Sequence, residues 1–326
     1  MRVIFIGTPD FAVPTLERLC ASRHEVVCVV TQPDRPAGRG KKVKPPPAKE
    51  LALREGLPVL QPEKLRGTDI HETLAAYEPD VIVVAAYGKI LPPEVLQVPR
   101  FGCLNVHASL LPKYRGAAPV AWAIINGERK TGVTIMQMDE TLDTGGIVAQ
   151  REVEILEDDD ALSLGNMLST LGADLLVEVL DEVEREQKIV SRPQENSQKS
   201  WAPALKKSDG DLDWSMTSEL IICRMHGLRP WPGCFSNLGD KTIRLIDADR
   251  LTASEAAAFA SPEHRPGEVA YQWRGRGPVV RTGDGYIVLT RAQPPGRKPM
   301  SGTDLINGGY VKPPTRFERV GLKDSK

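Results

Sequence analysis

Asn105 and His107 stand two residues apart, one within and one just after Cys103–Val106, a short apolar run that reads as a strand. Side chains alternate between the faces of a strand, so the amide and the imidazole leave it together on one side. Both groups donate hydrogen bonds without a metal, which suits a reaction that builds negative charge on an oxygen. The same three residues equally fit a strand end whose Asn caps a turn and whose His is merely buried. A third candidate is Asp143, in the acidic, Gly-containing connection from Asp139 to Gly146. A carboxylate beside an imidazole favours the doubly donating ring and can orient a water. Taken singly, Asp139, Glu140 and Asp143 also read as solvated loop charges.

The elements that would position these groups alternate strand and helix. Val3 to Ile6 is a continuous apolar run of the kind buried in a parallel sheet. Gly7-Thr8-Pro9-Asp10 turns it into a helix over about Phe11 to Ser22, with Asp10 as its expected cap. Strands follow at Glu25–Thr31, Val59–Leu60, Asp80–Ala86 and Cys103–Val106, with helices near Ala48–Glu55, Asp69–Tyr77 and Ala117–Asn126. This alternation predicts a doubly wound, mostly parallel α/β sheet. Ligands of such sheets sit beyond the carboxyl ends of the strands, so Tyr87-Gly88-Lys89-Ile90-Leu91 and Asn105-Val106-His107 can line one crevice. No G-x-G-x-x-G follows the first strand, and a dinucleotide site is not expected. Thr131–Met138 and Ile147–Ile155 alternate as an antiparallel pair. Asp158-Asp159-Asp160 opens a long helix whose stripe Leu164, Leu168, Leu171, Leu175 and Val179 is core packing.

At 326 residues the chain exceeds one typical core. The expected division is a domain over residues 1–186, a polar linker over 187–205, and a smaller domain over 206–326 built of short strands such as Ile243–Ile246, Val279–Arg281 and Tyr286–Leu289. The net charge of −1 hides an asymmetry: residues 201–326 hold 19 Lys and Arg against 14 Asp and Glu, leaving 23 against 29 in residues 1–200. A basic part on an acidic one is expected where a single domain grips a polyanion. Inside the acidic part, residues 33–49 form a Pro- and Gly-rich insertion with six Lys and Arg and no acid from Arg35 to Lys49. That composition predicts an irregular loop that reaches for phosphate. The cysteines Cys20, Cys28, Cys103, Cys223 and Cys234 are scattered and never form C-x-x-C, so neither zinc nor a disulfide framework is expected. No apolar run approaches the roughly 20 residues of a spanning helix, and a strand begins right after Met1. The expectation is a cytoplasmic monomer.

The run Asn105-Val106-His107-Ala108-Ser109-Leu110-Leu111-Pro112, continued by Tyr114-Arg115-Gly116-Ala117-Ala118-Pro119, resembles the signature of the folate-dependent formyltransferases. A second match lies in Thr131 to Asp139 and in Leu142-Asp143-Thr144-Gly145. The resemblance extends well beyond these motifs and is strongest with the branch that acts on methionyl initiator tRNA. It implies transfer of a formyl group from 10-formyltetrahydrofolate to an amine, with Asn105, His107 and Asp143 as the catalytic set and no metal. It also implies a folate site formed by Tyr87, Gly88, Ile90, Leu91, Ser109, Leu110, Leu111, Pro112 and Asp139, the first segment holding the pterin through backbone groups. Arg39, Lys41 and Lys42 would meet the tRNA acceptor arm. The C-terminal part is expected to be an OB-like β-barrel, with Arg274, Arg276, Arg281, Arg291, Arg297 and Lys298 as phosphate candidates. Other acceptors, such as a nucleotide-sugar or another small amine, would leave the basic segments without a task; so would a hydrolytic deformylase. A non-catalytic RNA-binding protein would have no need of Asn105, His107 and Asp143.

Overall fold

The structure is a computed structural model that describes residues 1–37 and 42–322. It divides into two compact units, one of Met1–Pro119, Lys130–Glu154 and Ser163–Pro203, the other of Val120–Arg129, Ile155–Leu162 and Ala204–Lys326.

The first unit is built on the strands β1 (Arg2–Gly7), β2 (Glu25–Val30), β5 (Val59–Leu60), β6 (Val81–Ala85), β7 (Cys103–His107), β8 (Lys130–Gln137) and β9 (Ile147–Glu154). A separate hairpin pairs β3 (Arg35–Ala37) with β4 (Lys42–Lys44). The sheet order is β5-β2-β1-β6-β7-β8-β9. Along this order β5 to β7 pair in parallel, β8 runs antiparallel to β7, and β9 runs antiparallel to β8. The central strands are buried along their whole length, which is why they read as unbroken apolar runs. Helices α1 (Val13–Cys20), α2 (Pro47–Arg54), α3 (Ile70–Ala75) and the single turn α4 (Pro93–Leu96) connect them. Helix α5 (Pro119–Ile125) follows the β7 turn, and α6 (Ala161–Glu186) carries the expected apolar stripe. Leu164, Leu168, Leu175 and Val179 are buried, and Leu171 is half-buried. Asp160 opens α6 by accepting from the Leu162 amide at 2.9 Å.

Two expectations need correction. Asp10 makes no capping hydrogen bond: it begins a 3-10 turn after Pro9, and α1 starts at Val13 behind Ala12, with a proline in its first turn supplying the preset φ. The insertion at 33–49 is not wholly irregular either. Its arms pair as β3 and β4, and its end is already helix α2. Pro36 is tolerated because a two-stranded ribbon leaves half its backbone groups facing outward.

The second unit contains β10 (Cys234–Leu238), β11 (Lys241–Arg250), β12 (Val269–Trp273), β13 (Gly277–Arg281), β14 (Tyr286–Gln293), β15 (Met300–Ser301) and β16 (Phe317–Glu318). It also holds α7 (Ser218–Gly227), α8 (Ala253–Phe259) and α9 (Gly302–Asn307). The antiparallel path β12-β13-β14-β11-β10-β16 curls until the chain entering β12 meets the chain entering β16, through Phe317 N to Gly267 O at 2.7 Å and Val269 N to Thr315 O at 2.9 Å. Closure removes exposed sheet edges, as in OB-like barrels. Trp214 stacks on Phe317 at 5.2 Å across the seam.

Helix α6 crosses the sheet at Gly172, where a Cβ would come within 2.6 Å of Val106 Cγ1. Val106 lies between Asn105 and His107, so Gly172→Ala must push the strand that bears them. We expect a loss of about 1–3 kcal/mol, read as a lower melting temperature. In the barrel, burial pushes the Asp284 carboxyl up, but hydrogen bonds from the Ser218 amide and hydroxyl and from Thr282 bring it below its usual value. Its contribution is complete above the ordinary carboxylate range and is lost as pH falls through the lowered folded value. Asp284→Asn should therefore flatten the acid limb of the melting profile below about pH 4.

Candidate active site

His107 closes β7 and is buried. Its Nε2 lies 2.9 Å from the Tyr114 carbonyl oxygen. A carbonyl only accepts, so Nε2 carries the proton, and Nδ1 is the ring nitrogen left for other work. Nδ1 faces Asp143 Oδ2 at 3.8 Å, beyond hydrogen-bond length. The same Oδ2 accepts from the Gly116 amide at 2.8 Å, which fixes the carboxylate. Tyr114 and Asp143 both adopt left-handed backbone conformations, with φ of 61° and 53°. Such angles are strained for residues with a Cβ and need surrounding support. Asn105 leaves β7 on the same face as His107, is 9% exposed, and its carboxamide has no hydrogen-bond partner among the described residues. A nearly buried amide without a protein partner is set to donate to a ligand. The structure thus brings Asp143 to His107 and leaves Asn105 beside them on the strand.

The turn after β7 is held from the neighbouring strand. Thr134 lies opposite His107 in register. Its hydroxyl donates to Ser109 O at 2.6 Å and accepts from Leu111 N at 3.1 Å. Ser109 is wholly buried with its hydroxyl on Lys113 O, and Leu111 packs with Met136 and Ile147. Leu110 and Pro112 are the half-exposed side chains of this turn. On the neighbouring strand end, the Tyr87 ring and Leu91 are core, and burial pushes the Tyr87 hydroxyl up to about 12. Ile90 is exposed, and the N–H groups of Gly88, Lys89, Ile90 and Leu91 donate to no protein acceptor among the described residues. The folate expectation therefore divides. Backbone groups and the faces of Ile90, Leu110 and Pro112 are available, whereas the side chains of Tyr87, Leu91, Ser109 and Leu111 serve the fold. Asp139 closes its own loop by accepting from Thr141 and Thr144.

Arg39 and Lys41 lie outside the described residues, and Lys42 is a β4 position whose side chain is also outside them. In the barrel, Arg276 is committed to Asp249 and Glu255 and stacks on Trp273, and Arg281 holds Gly285 O. Arg274, Arg291, Arg297 and Lys298 are exposed and make no ion pair among the described residues. The one His–carboxylate cluster found among the described residues is His24, Asp181 and Glu184, and its acids already pair with Arg23 and the Met1 amine.

Residues 1–180 match the formyl transferase family, and residues 204–309 match the formyl transferase C-terminal domain. The chain belongs to the formyltransferase family. Methionyl-tRNA formyltransferase of Sulfurihydrogenibium sp. (strain YO3AOP1) is 44% identical over 319 residues, covering 98% of this chain and 100% of that protein. The enzyme of the same name from Synechococcus sp. (strain JA-3-3Ab) is 47% identical over 321 residues, covering 98% of each. Among solved structures, an N-formyltransferase from Helicobacter canadensis complexed with folinic acid and dTDP-3-aminofucose aligns with a TM-score of 0.65 at 18% identity. It covers 90% of this chain and 98% of that one. HypX from Aquifex aeolicus in complex with tetrahydrofolic acid gives 0.60 at 19%, covering 100% of this chain and 50% of that one. At these identities the two structures show a shared fold.

Thr134 lies inside the second formyltransferase motif, and its part in fixing the turn is not among the expectations from sequence; the one signal it gives there is a hydroxyl set between Val133 and Ile135. Asp143→Asn can keep the contact with the Gly116 amide through its amide oxygen while removing the charge that faces Nδ1. Formyl transfer should fall about 10²–10⁴-fold, with the melting temperature little changed.

Proposed function

We propose that this formyltransferase moves the formyl group of 10-formyltetrahydrofolate to the α-amino group of methionyl initiator tRNA. The observation that carries the reading is the approach of Asp143 to His107 beside the Asn105 carboxamide, which has no hydrogen-bond partner among the described residues, toward the carboxyl ends of β6 and β7. A flat, polar-edged heterocycle suits the free amides at residues 88–91, with Ile90, Leu110 and Pro112 offering apolar faces. The neutral amine adds to the formyl carbon, and charge grows on the formyl oxygen. Asn105 donates to that oxygen, as does His107 Nδ1 when the ring carries a second proton there, and the Asp143 carboxylate offsets the charge on that ring. The C–N bond to the folate then breaks: the ring gives its Nδ1 proton to the departing N10 and regains one from the attacking nitrogen, directly or through a water that Asp143 orients.

The tRNA acceptor is favoured by near full-length identity to proteins named for it and by the charge on the β3–β4 hairpin. Arg35 and Lys44 are directly opposite each other in that ribbon, both exposed and without ion pairs among the described residues. Like charges placed across a strand pair repel, and a phosphate between them relieves this. Arg39, Lys41 and Lys42, which follow β3 in the sequence, are proposed to extend the same contact. The exposed barrel cations would add further phosphate contacts.

The test is a transfer assay with 10-formyltetrahydrofolate and methionyl initiator tRNA, run beside methionyl elongator tRNA and free methionine. Formylation of the initiator species alone is expected. Folate release without formylated tRNA would favour hydrolysis instead. His107→Ala should retain tRNA binding while turnover drops about 10²–10⁴-fold; full activity in that variant would falsify the role given to His107.

A further inference from the structure

Residues 191–202, the polar stretch expected to be a linker, are laced to the candidate active site within the first unit. Arg192 pairs with Ile147 in both directions, N to O at 2.9 Å and O from N at 2.8 Å. Ser200 accepts from two residues of the site turn, its hydroxyl from Tyr114 N at 2.9 Å and its carbonyl from Arg115 N at 2.9 Å. Ala202 N returns a bond to Arg115 O at 2.7 Å. The approach is close enough that a Cβ on Gly116 would come within 2.6 Å of Ala202 O.

Arg115 and Gln194 sit at the centre of this lacing. Arg115 is 2% exposed and makes no ion pair among the described residues. Its guanidinium donates instead to neutral oxygens, from Nε and Nη2 to Gln194 Oε1 at 3.0 and 2.7 Å and from Nη2 to Asn196 Oδ1 at 2.9 Å. The other end of the Gln194 amide donates from Nε2 to Asp143 O at 2.9 Å and to Gly145 O at 2.8 Å. A cation on the amide oxygen polarises the group and strengthens the bonds its N–H makes. The residues gripped are the strained ones. Asp143, at φ 53°, is held through its carbonyl by Gln194, and Tyr114, at φ 61°, is held through its amide by Ser200. Those two residues supply the carboxylate facing Nδ1 and the carbonyl that receives Nε2–H of His107.

We infer that Arg115 and Gln194 are positioning residues: through the strap 191–202 they keep Asp143 and Tyr114 in the strained backbone conformations that aim both ring nitrogens of His107. This rests on the formyl-transfer reading for its kinetic effect, though not for its geometry.

Gln194→Glu separates positioning from anchoring. The carboxylate forms an ion pair with Arg115, so the strap stays docked and the melting temperature should hold. The donor toward Asp143 O and Gly145 O is replaced by an oxygen, so the loop loses its grip. We expect kcat to fall about 10²-fold, with KM for the folate donor and for methionyl-tRNA each within about threefold of wild type. In the Gln194→Glu/Asp143→Asn double variant the losses should not multiply, because both act on one carboxylate. Wild-type kcat in Gln194→Glu, or fully multiplicative losses in the double variant, overturns the inference. An activity-free readout covers failure of the functional reading itself. In protein with 15N-labelled histidine, the His107 ring resonances, assigned with His107→Gln, should shift on Gln194→Glu. Unchanged resonances refute the positioning role whether or not the wild type formylates tRNA.

Discussion

The arrangement depends on how the two edges of one buried imidazole are used. His107 has Nε2 held by the Tyr114 carbonyl, while Nδ1 faces the Asp143 carboxylate at 3.8 Å and stays open for chemistry. Neither partner comes from the strand itself. One lies seven residues on, in a turn, and the other comes from a loop after the next strand. Each is presented from a left-handed residue, so the site holds strain that neighbouring backbone contacts must support. Reversal of β8 against β7, which sets Thr134 opposite His107, supplies part of that support by fixing the turn at residues 109–111.

Close backbone approach is the means throughout. Gly145 leaves no room for a Cβ against the Gln137 carbonyl, and Gly132 leaves none against Arg151. Gly172 lets α6 settle on the strand that bears the site. Each glycine forgoes side-chain burial to bring two chains into contact, and the contacts converge around β7, β8 and the loop before β9. The thiol of Cys103, at the other end of β7, is pushed up to about 12 by burial, which keeps it protonated near neutral pH.

Charge is handled differently at the two places where it accumulates. Within the fold, Arg115 is buried among amide oxygens, so its charge is spent on orientation. On the β3–β4 ribbon, Arg35 and Lys44 stand exposed and opposed, and Lys49 is quenched by Asp34 at 2.8 Å. The barrel repeats the division, with Arg276 and Arg281 bound into the fold and Arg274, Arg291, Arg297 and Lys298 left outward. A basic composition therefore overstates the cations open to a polyanion.

Apolar periodicity determined most of the first unit. The runs at Val3–Ile6 and Cys103–Val106 emerged within a residue or so of the observed strands, because strands buried on both faces read as nearly continuous apolar runs, and Val59–Leu60 emerged as well although β5 is a half-buried edge strand. The pairing of Asn105 with His107 also followed from the alternation of one strand. The barrel was less legible: β10, β12, α7 and α8 went unread, although Thr252 and Glu255 form a capping box. Short, half-exposed elements carry little apolar signal, and the seam at β16 depends on pairing between distant segments. The formyltransferase resemblance sets Asp143 with His107, whereas tertiary structure alone decided that Tyr114 holds the other ring nitrogen, that Ser109 and Leu111 face inward, and that the polar stretch around Gln194 is a strap. Those outcomes rest on hydrogen bonds between residues far apart in the chain, and nothing in local composition encodes which polar side chain will find which carbonyl.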